Sequence, residues 1–161
     1  MYTSIRNIVF NFFPSIYRYR LKKLINNTSL ESLKSTRRID PEVILLQSFL
    51  DKESICFDIG AYRGLYSFQM ENLINPNNLY IFEPISKNYN FLKKVYRKSN
   101  VFDIAISDKK EKKVFKIPII NNSYAYTRAT LNKNFLEMNQ ASTKTIQVQC
   151  STIDDFMNQK K

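Results

Sequence analysis

Apolar positions change period several times along this chain, and the changes mark its elements. Residues 2–25 carry aliphatic and aromatic side chains such as Ile8, Phe10, Phe12, Phe13, Ile16, Tyr17 and Leu21, interspersed with Arg6, Arg18, Arg20, Lys22 and Lys23. They predict two short helices divided by Pro14. Residues 26–39, rich in Asn, Ser, Thr and charge, read as a linker. Asp40-Pro41 then gives a helix start, with Asp40 as N-cap and proline in the first turn, and Val43, Ile44, Leu45, Phe49 and Leu50 carry the helix to about Lys52. Ile55, Cys56, Phe57 and Ile59 form a short apolar run, broken by Asp58, that reads as a buried parallel strand with a carboxylate at its carboxyl end. After Gly64 the period becomes helical through Leu65, Phe68, Met70 and Leu73.

Asn75-Pro-Asn-Asn78 marks a turn, Leu79-Tyr-Ile-Phe-Glu83 a second strand ended by Pro84, and Ser86 the cap of a helix through Phe91, Leu92, Val95 and Tyr96. Val101 to Ile106 is a third strand. Strands alternating with helices through short turns predict an α/β fold whose parallel sheet has the order 3-2-1. The rest breaks the rhythm. Lys113 to Ile120 and Thr145 to Cys150 suggest an added antiparallel strand pair around a long loop, Asn121 to Lys144, with Tyr124, Tyr126 and Arg128 in it. Ser151 is then expected to cap a last helix over Thr152 to Asn158. The chain divides into a basic helical arm with its linker, 1–39, and an α/β domain, 40–161.

Composition narrows the chemistry. Only two glycines occur in 161 residues, Gly60 and Gly64, both in one short loop. Histidine is absent, which excludes Ser/His/Asp and Cys/His nucleophile systems and removes the commonest metal ligand, so no metal site is expected. Cys56 and Cys150 sit in apolar runs without C-x-x-C spacing and read as small core residues, compatible with a reducing cytoplasm. The formal charge of +11 is concentrated at the amino end, where residues 1–40 hold eight basic and two acidic side chains. No nucleic-acid-binding motif accompanies it, and no nucleic-acid partner is expected. Two readings stand for residues 2–25: an interfacial helix drawn to anionic lipid, which would make the protein membrane-peripheral, and a helical arm packed on the domain. No apolar run is long enough for a membrane helix, and no signal peptide or lipidation signal is present.

Strand, glycine turn and helix in succession are the arrangement that binds nucleotide cofactors. A dinucleotide pyrophosphate calls for G-x-G-x-x-G, which Gly60 and Gly64 do not complete. S-adenosylmethionine has no phosphates and asks less. Gly60 would let the backbone pass its methionine portion, the helix start near Gly64 would face its carboxylate, and Asp58 would hold its ammonium or brace the loop. Glu83, at the end of the neighbouring strand, is placed to accept two ribose hydroxyls. Asp103 would face the adenine or terminate the sheet face.

Phe57-Asp-Ile-Gly-Ala-Tyr-Arg-Gly64, Ile81-Phe-Glu-Pro84, Asn88-Tyr-Asn-Phe-Leu92, Ala105-Ile-Ser-Asp108 and Thr152-Ile-Asp-Asp-Phe156 follow one another in the order of the motifs of FkbM-type S-adenosylmethionine-dependent methyltransferases, which the chain resembles over about residues 41–158. The resemblance implies a Rossmann-like, class I methyltransferase sheet and methyl transfer to oxygen on a glycan or small-molecule acceptor. It places Asp58, Gly60, Ala61 and Gly64 in the cofactor loop, Glu83 at the ribose and Ala105 to Asp108 near the adenine. Tyr62 stands where the family usually has Asn, and its phenol would either stack against the cofactor or obstruct it, while Arg63 would either pair the methionine carboxylate or face solvent. No catalytic base is identified, and Tyr124, Tyr126 and Arg128 are candidates for acceptor contact. In the family the helix matching Thr152 to Asn158 leads to another central strand of the form I-K-I-D-x-E-G. The sequence given stops at Lys161, so the carboxyl-terminal strands are expected to be missing, leaving Ile55 to Ile59 at a sheet edge open to self-association. An alternative to the enzyme is therefore a non-catalytic remnant or interaction module with a cofactor-half fold.

Overall fold

The computed structural model of the protein describes residues 8–28, 39–132 and 134–159, so residues 2–7 of the arm and most of the expected linker lie outside the described residues. A helical segment at 8–12 leads into α1 (Pro14–Asn26), and Pro14 occupies the first turn of α1 as proline prefers. Phe10, Tyr17 and Leu21 are buried, so the arm packs its inner face on the rest of the molecule.

The helix expected to run from Asp40 to Lys52 is shorter. It comprises α2 (Pro41–Leu45) and a tighter 3-10 turn at Leu46–Ser48. Asp40 holds the N-cap position without a side-chain capping bond. Beyond the 3-10 turn the Asp51 carboxylate accepts hydrogen bonds from the amides of Glu53 and Ser54 and from the Ser54 hydroxyl, which turns the chain before the strand.

Next come β1 (Cys56–Ile59), α3 (Leu65–Leu73), β2 (Leu79–Phe82), α4 (Ser86–Val95) and β3 (Asn100–Phe102). The strands pair in parallel in the order 3-2-1, with β1 at the edge. Period-two alternation gives the sheet two different faces. Cys56, Leu79, Ile81 and Val101 face α1, α3 and α4 and build the main core with Phe68, Phe91, Leu92 and Tyr96. Phe57, Tyr80, Phe82 and Phe102 stack across the strands on the other face. The Asn75 side chain accepts from the Asn77 amide at 3.1 Å and shapes the turn before β2. Ser86 is not the cap of α4 but its first helical residue.

A second sheet follows: β4 (Ile104–Ile106), β5 (Lys112–Ile120), β6 (Ser123–Tyr124) and β7 (Ser142–Ser151), in the order β4-β7-β5-β6. β7 pairs antiparallel with β5 and parallel with β4. The single strand expected at Val101 to Ile106 is thus two strands in two sheets, parted at exposed Asp103. Pro84 explains the switch. The Glu83 amide donates to the Phe102 carbonyl at 3.0 Å, but Pro84 has no N–H and the Ile85 amide is taken by the Glu83 carboxylate, so the chain beyond Phe102 finds no further partner on β2.

The long loop is partly ordered by pairing. Asn121 and Asn122 both have positive φ and form the turn between β5 and β6, a 3-10 turn follows at Tyr126–Arg128, and Lys116 bridges to Thr130. The last helix, α5 (Ile153–Asn158), is capped by Thr152, whose hydroxyl accepts from the Asp155 amide at 2.9 Å, and not by Ser151, which ends β7. Phe156 of α5 sets its ring edge-on against Tyr80, Phe82 and Phe102. Both cysteines are free and buried, and no helix of the described residues is long and apolar enough to cross a membrane.

Candidate functional site

β1 ends at Ile59, and the chain then turns sharply over the end of β2. The amides of Gly60 and Ala61 both donate to the Phe82 carbonyl, at 2.9 and 3.1 Å. Gly60, Tyr62 and Gly64 all have positive φ, +76°, +50° and +75°, so three of five loop residues are left-handed. Glycine takes that conformation freely, whereas a tyrosine does so only when the surroundings impose it. Here the imposing group is Glu83, whose Oε2 accepts from the Tyr62 amide at 2.7 Å.

Glu83 is only 3% exposed. Its Oε1 accepts from the Ile85 amide at 2.9 Å and from Asn88 Nδ2 at 3.5 Å. A carboxylate offers about four lone-pair positions, so these bonds leave one on Oε2 for a ligand. Burial pushes the Glu83 carboxyl above its usual range, against the pull of the two amides. Asp58, also buried, accepts from the Ser67 hydroxyl of α3, and burial likewise raises its pKa. Asp58 therefore braces the loop against the following helix.

Gly60 faces open space, since a Cβ built there meets no atom within 4 Å. Gly64 does not. A Cβ there would lie 2.6 Å from Tyr96 Cε2 and 2.9 Å from Leu92 Cδ2, and the Tyr96 hydroxyl donates to the Gly64 carbonyl. Gly64 serves the close packing of α3 on α4.

Two cavities share Ile59, Gly60 and Tyr62 as a common wall. One, of about 400 Å³, lies between the ends of the two sheets and is lined by Glu83, Pro84, Ile85, Ala105, Ile106, Phe115, Tyr126, Thr127, Thr130 and Leu131 among others. The other, of about 520 Å³, lies toward the arm and is bounded by Asp58, Asp40, Ala61, Arg63 and Tyr17. Both fall in the size range of small-molecule sites. The first offers an apolar slot with one carboxylate, and the second is lined by two carboxylates, Asp40 and Asp58, and two arginines, Arg20 and Arg63.

Asp58, Gly60, Ala61, Tyr62, Glu83 and Ala105 thus line one or the other cavity, while Gly64 stands behind the loop. Asp103 is exposed at the break between β3 and β4 and lines neither. Arg63 is half-buried and lines the second cavity. Its guanidinium lies 3.5 Å from the centroid of the Phe91 ring, Nη1 donates to Asn11 at 3.3 Å, and Nη2 is buried without a hydrogen-bond partner. Of the loop candidates, Tyr126 reaches the first cavity, Tyr124 packs beside it at 5.7 Å, and Arg128 is held by Glu137 at 2.5 Å.

Three contributors were not apparent from periodicity. The one signal for Ser67 is a small polar residue in the first turn of an apolar helix, nine residues after Asp58. Tyr17, whose hydroxyl donates to the Arg63 carbonyl at 2.8 Å, and Phe115, 30 or more residues from the loop, left no sequence signal. Among the described residues no group of acidic or cysteine side chains is arranged to hold a metal ion. No protein-family model, curated protein or solved structure matches this chain.

Proposed function

We propose that this chain is an S-adenosylmethionine-dependent methyltransferase of the FkbM type, with a Rossmann-like sheet, acting on a hydroxyl of a sugar or other small molecule. The observation that carries this reading is the junction of two cavities at a bare Gly60, between the buried carboxylates Asp58 and Glu83.

The residues present fit the cofactor. A nucleoside suits the first cavity, where the remaining Oε2 lone pair of Glu83 faces a slot walled by Ile85, Ala105 and Ile106. That leaves room for one strong ribose hydroxyl bond where two were expected from sequence. The zwitterionic amino-acid end suits the second cavity, whose wall carries Asp58 and Asp40 for its ammonium and Arg20 and Arg63 for its carboxylate. When bound, the cofactor supplies an electrophilic methyl group on a sulfonium. The protein's task is to hold an acceptor oxygen in line with it and keep water away. Tyr126, Thr127 and Thr130 furnish hydroxyls on the opposite wall, and burial raises the pKa of the Tyr126 phenol. With no histidine in the chain, any general base is a carboxylate, an amine, a phenol or water.

The left-handed backbone at Tyr62 supports the same reading, because it is the conformation for which the family's usual Asn is suited. A second reading, an interaction module with a cofactor-half fold, is favoured by one feature: among the described residues β1 is paired on one side only, and its last residue, Ile59, is half exposed.

Titration calorimetry separates the two. S-adenosylmethionine should bind the chain with roughly micromolar affinity, and Glu83→Gln should weaken it about tenfold or more, because an amide offers one accepting oxygen where the carboxylate offers two. Absence of binding heat from a folded, monodisperse sample would leave the interaction module.

A further inference from the structure

The arm that packs on the core has a second apolar face. Ile8, Phe12, Ile16 and Tyr19 recur at spacings of four, four and three, and all are exposed, as is Phe13 beside them. Phe12 is 75% exposed and Tyr19 68%. Their inward neighbours Phe10, Tyr17 and Leu21 belong to the core, and the outer face does not. A run of large apolar side chains along one exposed face marks a contact surface.

Its charge indicates the partner. Residues 1–30 contain no Asp or Glu, and Lys22 and Lys23 are exposed on the arm. A cavity of about 580 Å³ adjoins it, with Pro14, Ser15 and Arg18 on the arm side and Lys94, Arg97 and Lys98 at and beyond the end of α4. The single carboxylate there, Glu71, is paired with Arg18 at 2.5 Å. Lys94, Arg97 and Lys98 are exposed and make no ion pair among the described residues.

We propose that this face docks on an anionic lipid bilayer. Phe12, Phe13, Ile16 and Tyr19 enter the headgroup and acyl boundary while Lys22, Lys23, Lys94, Arg97 and Lys98 meet lipid phosphates and carboxylates. A nucleic-acid backbone would use the cations and leave the aromatic side chains in water. A bilayer uses both. The arm also grips the glycine loop, through Tyr17 on the Arg63 carbonyl and Asn11 on the Arg63 guanidinium, so docking fixes the candidate site relative to the membrane. This inference does not depend on the identity of the cofactor.

Vesicle co-sedimentation of the full chain tests it, with phosphatidylcholine alone and with about a third of the lipid replaced by phosphatidylserine. Binding should require phosphatidylserine and fall steeply with added salt. The triple variant Phe12→Ser, Phe13→Ser, Tyr19→Ser should weaken it at least ~10-fold by losing apolar burial. The triple variant Lys94→Gln, Arg97→Gln, Lys98→Gln should weaken it on the order of 100-fold at low salt. All six side chains are exposed, so circular dichroism should show both variants folded. Several results would overturn the proposal: no vesicle binding by the wild type, binding indifferent to the serine variant, or a concentration-dependent dimer that the serine variant disperses. Duplex DNA binding without vesicle binding would overturn it as well.

Discussion

At Gly64 a Cβ would stand 2.6 Å from Tyr96, whereas at Gly60 it would meet nothing within 4 Å. Both residues have φ near +75°, so alanine is strained at either position, by about 1 kcal/mol from the backbone alone. At Gly64 the collision with two buried side chains adds about 2 kcal/mol more. Urea unfolding should therefore find Gly64→Ala less stable than the wild type by about 3 kcal/mol and Gly60→Ala by about 1 kcal/mol. Equal losses would mean that Tyr96 and Leu92 retreat freely. The scarcity of glycine revealed the loop directly, because two glycines in one turn of a glycine-poor chain require a backbone reason. It could not separate their reasons, since the partner of Gly64 lies 32 residues away on another helix.

Among the elements, the parallel strands and the helices that follow them were legible because their apolar periods are clean. The break at Asp103 was not. An apolar stretch from Val101 to Ile106 carries no mark of changing partner, and the cause resides in Pro84 and in the carboxylate of Glu83, on a different strand. The start of α2 at Pro41 was legible but its early end was not: the α-helix stops at Leu45 and tightens into a 3-10 turn although helical spacing continues. α5 owes its place to the other sheet face. Thr152 starts it, and Phe156 closes over the rings of Phe82 and Phe102 at centroid distances of 5.0 and 4.7 Å. Phe156→Ala should cost about 3 kcal/mol of stability by urea unfolding. A loss below about 1 kcal/mol would show that α5 contributes little to covering that face.

The whole molecule joins three layers of meaning at one loop. The parallel sheet positions Asp58 and Glu83 at neighbouring strand ends, the second sheet supplies the far wall of the first cavity, and the arm closes the second. The candidate cofactor residues on the first two strands were readable from motif spacing. Of the far wall only Tyr126 was a candidate from sequence; Thr130 and Leu131 reach the cavity through the bridge from Lys116 to Thr130 and the pairing of β5 with β7. The central claim is that a nucleoside-containing methyl donor binds across Gly60 with Glu83 on its ribose. Amide-resolved NMR of the labelled chain, titrated with S-adenosylhomocysteine, tests this most directly. The account predicts saturable shifts at Gly60, Ala61, Tyr62, Ile85 and Ala105, with Arg97 and Lys98 unmoved. A spectrum that does not change, or shifts confined to residues outside both cavities, would contradict it.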